Sequence, residues 1–139
     1  MPKVFVYGTL RAGEVNDLNA AARKHGIVAP TLLGTATIAG RLYDFGTYPG
    51  LVLDPAAGPA VGDIYDVPDA LVPVLDEIEE VYPGQATLFV SEEHTVLLHG
   101  QAVACLLYPV AEAAVAGLPR IDGGDWVAYR KSRDTAAAA

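Results

Sequence analysis

The first apolar block of the chain, Val4-Phe5-Val6-Tyr7, is β-branched and aromatic throughout and stops at Gly8, a pattern that predicts a buried strand delivering a loop. Gly8 and Gly13 bound that loop and permit backbone conformations that a Cβ would forbid. Between them the main-chain N–H groups of Thr9, Leu10 and Arg11 have no evident ladder partner, so they are available to converge on an anion or a developing oxyanion. The plainer reading is an ordinary strand-to-loop turn. Asn16-Asp17-Leu18-Asn19 then suits the cap of a short helix through Ala20 to His25, with Gly26 as its stop.

From Pro30 to Gly46 the pattern becomes strand-like, with Gly34 and Gly40 marking bulges or bends. Tyr48-Pro49-Gly50 reads as a turn before Leu51-Val52-Leu53, and Asp54 to Pro59 as a connector into the strand Val61 to Val67. Pro68-Asp69 opens a second helix, whose apolar residues Leu71, Val74, Leu75 and Ile78 recur at helical spacing. Beyond Pro83-Gly84, strands are expected at Thr87 to Val90, Thr95 to Leu98 and Ala102 to Tyr108, followed by a short helix or irregular stretch from Pro109 to Ala116. The segment from Ser132 to Ala139 is polar and then all Ala, has no apolar face, and is expected to fray. Strands mixed with two short helices make an α+β (mixed α/β) domain over residues 1–131, with 132–139 as a disordered tail.

Composition narrows the field. Hydrophobic residues are 52% and charged residues 19%, a globular balance, and no apolar run approaches the ~20 residues of a membrane helix. Met1-Pro2-Lys3 is followed by only four strand-like residues, short of the ~7–15-residue core of a signal peptide, so a cytoplasmic protein is expected. A net charge of −8 opposes binding to phosphate backbones, and Arg120, Arg130, Lys131 and Arg133 form a late cluster rather than a groove-length stripe. Neither nucleic acid nor membrane is an expected partner; monomer and homodimer are both open. Cys105, the single cysteine, sits in an apolar run and reads as a buried structural thiol. His25, His94 and His99 have no ligand spacing, so no metal is expected.

Four acids, Asp76, Glu77, Glu79 and Glu80, crowd the end of the second helix. At about 100° per residue, Glu80 points away from the Leu71-Val74-Leu75-Ile78 stripe, whereas Glu77 and Glu79 flank it on opposite sides. A flanking carboxylate can reach into a cleft and be partly desolvated, which raises its pKa toward general-base values. Periodicity does not choose between Glu77 and Glu79, and four solvated acids on an open face are the bland alternative.

Five stretches in order carry a resemblance: Val4 to Gly13, Gly40 to Leu51, Val61 to Val67, Leu75-Asp76-Glu77-Ile78-Glu79, and Gly124-Asp125-Trp126. Together they resemble the γ-glutamylcyclotransferase-like family. The resemblance implies a small, twisted, barrel-like mixed sheet with short helices packed on it. It also implies that Glu79, the last position of its motif, is the catalytic glutamate, and that Tyr7, Gly8, Thr9, Leu10 and Tyr108 meet the substrate. Tyr43, Tyr48 and Tyr65 are further aromatic candidates, each more simply read as half-buried strand residues. Many relatives follow the helix with a Tyr, one residue and an Arg, where this chain has Phe89, Val90 and Ser91. Loss of a phenol and a guanidinium there bears on substrate identity.

The implied chemistry is ring closure. In a γ-glutamyl compound the α-amino nitrogen attacks its own γ-carbonyl, forming 5-oxoproline and expelling the attached amine. Closure is intramolecular, so the protein has to deprotonate the amine, fold the chain and stabilise the oxyanion, for which one carboxylate and a few N–H groups suffice without cofactor. The other readings are a non-catalytic small-ligand-binding protein on the same fold and, more weakly, a cysteine hydrolase using Cys105.

Overall fold

The computed structural model describes residues 2–8, 10–11, 17–46, 48–78 and 92–138. The opening apolar block forms β1 (Lys3–Val6), and α1 (Leu18–Lys24) follows, capped by the Asp17 carboxylate, which accepts from the Asn19 N–H at 2.7 Å. β2 (Thr31–Asp44) is followed by β3 (Pro49–Leu53) and β4 (Pro59–Asp66). A 3-10 turn at Asp69–Leu71 then leads into α2 (Val72–Ile78). After the next described residue, Glu92, come β5 (Glu92–Leu98), β6 (Gln101–Leu107), a 3-10 turn at Glu112–Val115, β7 (Arg120–Ile121) and α3 (Trp126–Ala138).

The architecture is α+β, as the sequence implied. β1 runs antiparallel to β4, with Val4 opposite Tyr65, and parallel to β6, with Val4 beside Leu106. β6 pairs with β5, β4 with the first half of β2, and Thr37 of β2 meets Leu97 of β5, so five strands close into a barrel. A bulge between Leu32 and Gly34 bends β2 onto β4. At Gly40 the strand changes partners: Ala39 is its last residue opposite β4, and Gly40 to Asp44 pair with β3 on one side while Leu42 and Tyr43 pair with β7 on the other.

Period-two alternation sends the two faces of each barrel strand into separate cores. Phe5, Ala36, Ile64, Val96, Leu98, Cys105 and Leu107, drawn from all five barrel strands, fill the interior together with Trp126. Val4, Val6 and Tyr65 face outward and are covered by Leu18 and Ala22 of α1 and by Leu71 and Leu75 at α2, with Leu10, Tyr108 and Val110 closing one end of this second cluster.

Two local expectations are corrected. Pro49 and Gly50 are the first residues of β3, not a turn: proline is tolerated at the start of a strand, where its missing N–H costs no interior ladder bond. β6 ends at Leu107, with Tyr108 just beyond it, and the short β7 follows as a further strand. α3 runs to Ala138, and its first two turns are held by polar hooks. Arg133 donates to both carboxylate oxygens of Asp44 at 3.2 Å and to the Gly46 carbonyl at 2.6 Å, and Tyr129 Oη donates to Asp44 at 2.7 Å. The Arg133 guanidinium also lies 5.4 Å from the centre of the Trp126 ring. Burial pushes the Asp44 carboxyl up, but the hydrogen bonds from Tyr129, the Gly46 N–H and Arg133 outweigh it and hold Asp44 below its ordinary pKa. No described helix is long and apolar enough to cross a membrane.

Candidate active site

β1 ends at Val6, and the chain leaves the barrel through Tyr7, Gly8, Leu10 and Arg11. Arg11 N–H donates to the Gly8 carbonyl at 3.0 Å, closing a four-residue turn, and Leu18 N–H donates to the Leu10 carbonyl at 3.3 Å, joining the turn to α1. The side chains around the turn fix it from several directions. Tyr7 Oη donates to the Tyr108 carbonyl at 2.7 Å and accepts from the Leu51 N–H at 3.2 Å, so one buried phenol joins the ends of β1 and β6 to the middle of β3. Val110 N–H donates to the Leu51 carbonyl at 2.8 Å and completes the brace.

Gly8 has a different reason for being glycine than the sequence suggested. Its φ is not positive. A Cβ there would lie 2.6 Å from Pro49 Cγ and 2.7 Å from Pro49 Cδ, so what glycine permits is the seating of the turn on the proline that opens β3. The hairpin tip beside that proline carries Phe45 and Tyr48, stacked with ring centres 5.2 Å apart. Both rings pack on the outer cluster that holds Leu10, Leu75, Tyr108 and Val110.

Of the residues expected to form the site, Tyr7, Gly8, Leu10 and Tyr108 are brought together at one end of the barrel. Leu10 and Tyr108 share a cluster, Tyr7 bonds Tyr108, and Gly8 follows Tyr7 onto Pro49. Thr9, Gly13, Glu79, Glu80, Phe89, Val90 and Ser91 lie outside the described residues. Glu77 belongs to α2, whose Leu75 enters the same cluster as Leu10 and Tyr108. Glu79 is the residue next after the α2 end at Ile78.

Sequence reasoning missed the Arg11 side chain. Treated above as a backbone donor, Arg11 reaches across the barrel end: Nε donates to Asp63 Oδ2 at 3.2 Å, Nη2 to Asp63 Oδ1 at 3.4 Å and Nη1 to Asp125 Oδ1 at 3.1 Å. Thr35 Oγ1 donates to the same Asp63 at 3.2 Å. The arginine and Asp63 are 12% and 7% exposed, so this is a shielded, forked pair and not a surface bridge. Asp125 also accepts from the Ala128 N–H at 3.2 Å and caps α3. The preceding Gly124, at φ 68°, lies so close to the Pro59 carbonyl that a Cβ would overlap it, and its own carbonyl accepts from the Val61 N–H at 2.7 Å. The Gly124-Asp125-Trp126 motif is therefore the joint that fastens α3 to β4 and to the turn, with Trp126 fully buried.

Two other groups bear on the chemistry. Cys105 is fully buried in the barrel and burial pushes its thiol up, away from nucleophile values. Tyr65 is fully buried, its hydroxyl has no hydrogen-bond partner among the described residues, and its pKa is pushed up to about 12, chiefly by burial and further by Asp17 and Asp63. A shallow cavity of about 450 Å³ lies along α3 between Ile121, Asp125, Tyr129 and Arg133. Its charged and phenolic groups are engaged with Arg11 and Asp44, so it is the space left beside those joints.

Comparison with known proteins bears on family and fold. A protein from Niallia circulans named gamma-L-glutamyl-butirosin B gamma-glutamyl cyclotransferase is 42% identical over 86 residues, which is 60% of this chain and 50% of that protein. The chain thus aligns with half the length of that relative. A Halalkalibacterium halodurans protein, assigned by name as a γ-glutamylcyclotransferase, is 30% identical over 68% of this chain and 84% of its own length. The solved structure of an AIG2-like protein from Mus musculus superposes with a TM-score of 0.70 over 88% of this chain and 86% of that one, at 24% identity, a likeness of fold. The family model described as gamma-glutamyl cyclotransferase, AIG2-like, matches residues 4–128, and the chain belongs to that family.

Proposed function

We propose that the protein is a γ-glutamyl cyclotransferase acting on a γ-glutamyl amine or γ-glutamyl amino acid. The observation that carries this reading is the braced turn at the end of β1. Family membership supports the reaction class, and the reading takes the turn, which meets Tyr108 and Leu75 of α2 in one cluster, as the set of main-chain donors.

In the proposed reaction Glu79 takes a proton from the α-amino nitrogen, and the freed lone pair attacks the γ-carbonyl. A C–N bond forms within the substrate, and negative charge develops on the former carbonyl oxygen. Main-chain N–H groups of Thr9 and Leu10 stabilise that charge, the Arg11 N–H being bonded to the Gly8 carbonyl, and because Tyr7, Pro49 and Leu18 already fix the turn, little reorganisation accompanies the reaction. As the oxyanion collapses, the bond to the leaving amine breaks and Glu79 returns the proton to that nitrogen; the ring nitrogen then passes its own extra proton through the same carboxylate to the released amine, which departs as an ammonium and leaves a neutral lactam, so atoms and charge balance without another reactant. Tyr7 and Tyr108 contribute by shape and by main-chain placement, since the Tyr7 phenol is occupied by the Leu51 N–H and the Tyr108 carbonyl.

The test is a panel of γ-glutamyl dipeptides and γ-glutamyl amines assayed for 5-oxoproline release. Turnover of at least one member is expected. Folded protein that turns over none overturns the proposal, and ligand-induced thermal stabilisation in that case would favour the binding-protein reading.

A further inference from the structure

We infer that Arg11 is a positioning residue for the proposed reaction, holding the donor turn in register through its ion pairs with Asp63 and Asp125. The inference rests on the cyclotransferase reading. It starts from an asymmetry between the ends of the turn. At Gly8 the chain is fixed by packing on Pro49 and by the Tyr7 phenol. At Arg11 the backbone is tied to Gly8 within the turn; Leu10 beside it is buried in the outer cluster and bonded to Leu18, and the Arg11 side chain ties this end to β4 and α3.

Chemistry favours a guanidinium for this task. It is planar and always charged, and its N–H groups point in fixed directions, so a forked contact to Asp63 with a third bond to Asp125 sets orientation as well as distance. The partners come from rigid places: Asp63 from the middle of β4, itself bonded by Thr35 of β2, and Asp125 from the cap of α3. One side chain thus references the turn to two barrel strands and a helix. Low exposure of the pair keeps the interaction from being screened as a surface bridge would be. Donor groups must sit within a fraction of an ångström of the developing oxyanion, so loosening this end is expected to act on turnover more than on substrate affinity.

Because Arg11→Met alone leaves Asp63 buried beside an apolar chain and threatens folding, the experiment uses three variants: Arg11→Lys, Arg11→Met and the charge-matched pair Arg11→Met with Asp63→Asn. Each is assayed for kcat and KM on the best panel substrate, normalised to folded protein by circular dichroism. Amide hydrogen exchange is followed at Leu10 and Arg11. The expected result for the paired variant is a folded protein with kcat lowered by about 10- to 100-fold, KM within about threefold of the parent, and faster exchange at the turn. Arg11→Lys should fall between parent and pair, keeping charge but not the fork. A folded paired variant with parental kcat and parental exchange overturns the inference and leaves Arg11 as a clamp for the fold alone. If the parent turns over no panel member, the cyclotransferase reading fails by itself, and exchange rates at the turn still decide whether Arg11 holds it.

Discussion

Replacing Gly8 by alanine probes the proposed donor role of the Gly8 to Arg11 turn with a single carbon. The added Cβ would stand 2.6 Å from Pro49 Cγ and 2.7 Å from Cδ, against an ordinary contact of 3.4 Å or more, so one side has to retreat by about 0.8 Å. Pro49 is poorly able to do so: its ring fixes φ, and it is paired with Asp44 at the start of β3. The turn therefore moves. Overpacking of this kind costs about 1–3 kcal/mol, which at about 4 °C per kcal/mol for a chain of this size lowers Tm by roughly 4–12 °C and leaves the protein folded at room temperature. A displacement near 1 Å at the donors is worth on the order of 10²-fold in rate. Gly8→Ala should accordingly lose turnover out of proportion to its loss of stability, and the larger Gly8→Val should lose more of both. The assay pairs 5-oxoproline release with a thermal melt on the same preparation. A compensating variant sharpens it: Gly8→Ala with Pro49→Ala removes the offending ring atoms and should recover a large part of kcat. Gly8→Ala with parental kcat and Tm would refute the argument that the turn is seated on Pro49 and that its position sets the rate.

Glu79→Gln, nearly isosteric but unable to take a proton, should keep the fold and lower kcat by at least ~10²-fold, whereas Glu77→Gln and Glu80→Gln should change it little; an inactive Glu77→Gln would move the base to the other flank of the helix. Tyr7→Phe deprives the Leu51 N–H and the Tyr108 carbonyl of a shared buried partner and should cost about 1–3 kcal/mol in a urea titration, with an unchanged midpoint counting against the brace. Asp44 has a lowered pKa in the folded state, so its stabilisation is complete above its ordinary value of 3.8 and is lost as pH falls through the lower folded value. Asp44→Asn should therefore lower Tm at pH 6 and flatten the decline of Tm on the acid side of pH 4; a parental acid limb would show that the joint to Tyr129 and Arg133 carries no such linkage.

Much of the frame was legible in the chain because it is written in local chemistry. The Asp17 cap and Gly26 bracket α1, and β-branched and aromatic blocks bounded by glycine mark β1, β2 and β4. The apolar stripe of the second helix was legible too, with Leu71 and Leu75 fully buried as expected. What stayed hidden depends on partners far away in sequence. α3 buries Trp126 but is otherwise fastened by Tyr129 and Arg133 to Asp44, 85 and 89 residues earlier, and a helix held by such hooks has no apolar periodicity to read. Arg11 likewise meets Asp63 and Asp125 at separations of 52 and 114 residues. Around the candidate site the structure brings Tyr7, Gly8, Leu10 and Tyr108 to one end of the barrel. The motif could not indicate that Gly8 accommodates a proline, or that the Tyr7 phenol is consumed in bracing.

The parallel pairing of β1 with β6 has a consequence for how the protein comes into being. Val4 and Leu106 are about 100 residues apart, and closing a flexible loop of that length costs on the order of 4 kcal/mol in chain entropy before the contact returns anything. Both neighbours of β1 are distant in sequence, so the strand that launches the Gly8 to Arg11 turn has no local partner on which to fold early. Such topologies fold slowly, with their long-range pairings formed late. A nascent chain interrupted before β6 would carry the whole Tyr7 to Leu10 motif and yet lack the Tyr108 carbonyl that braces it.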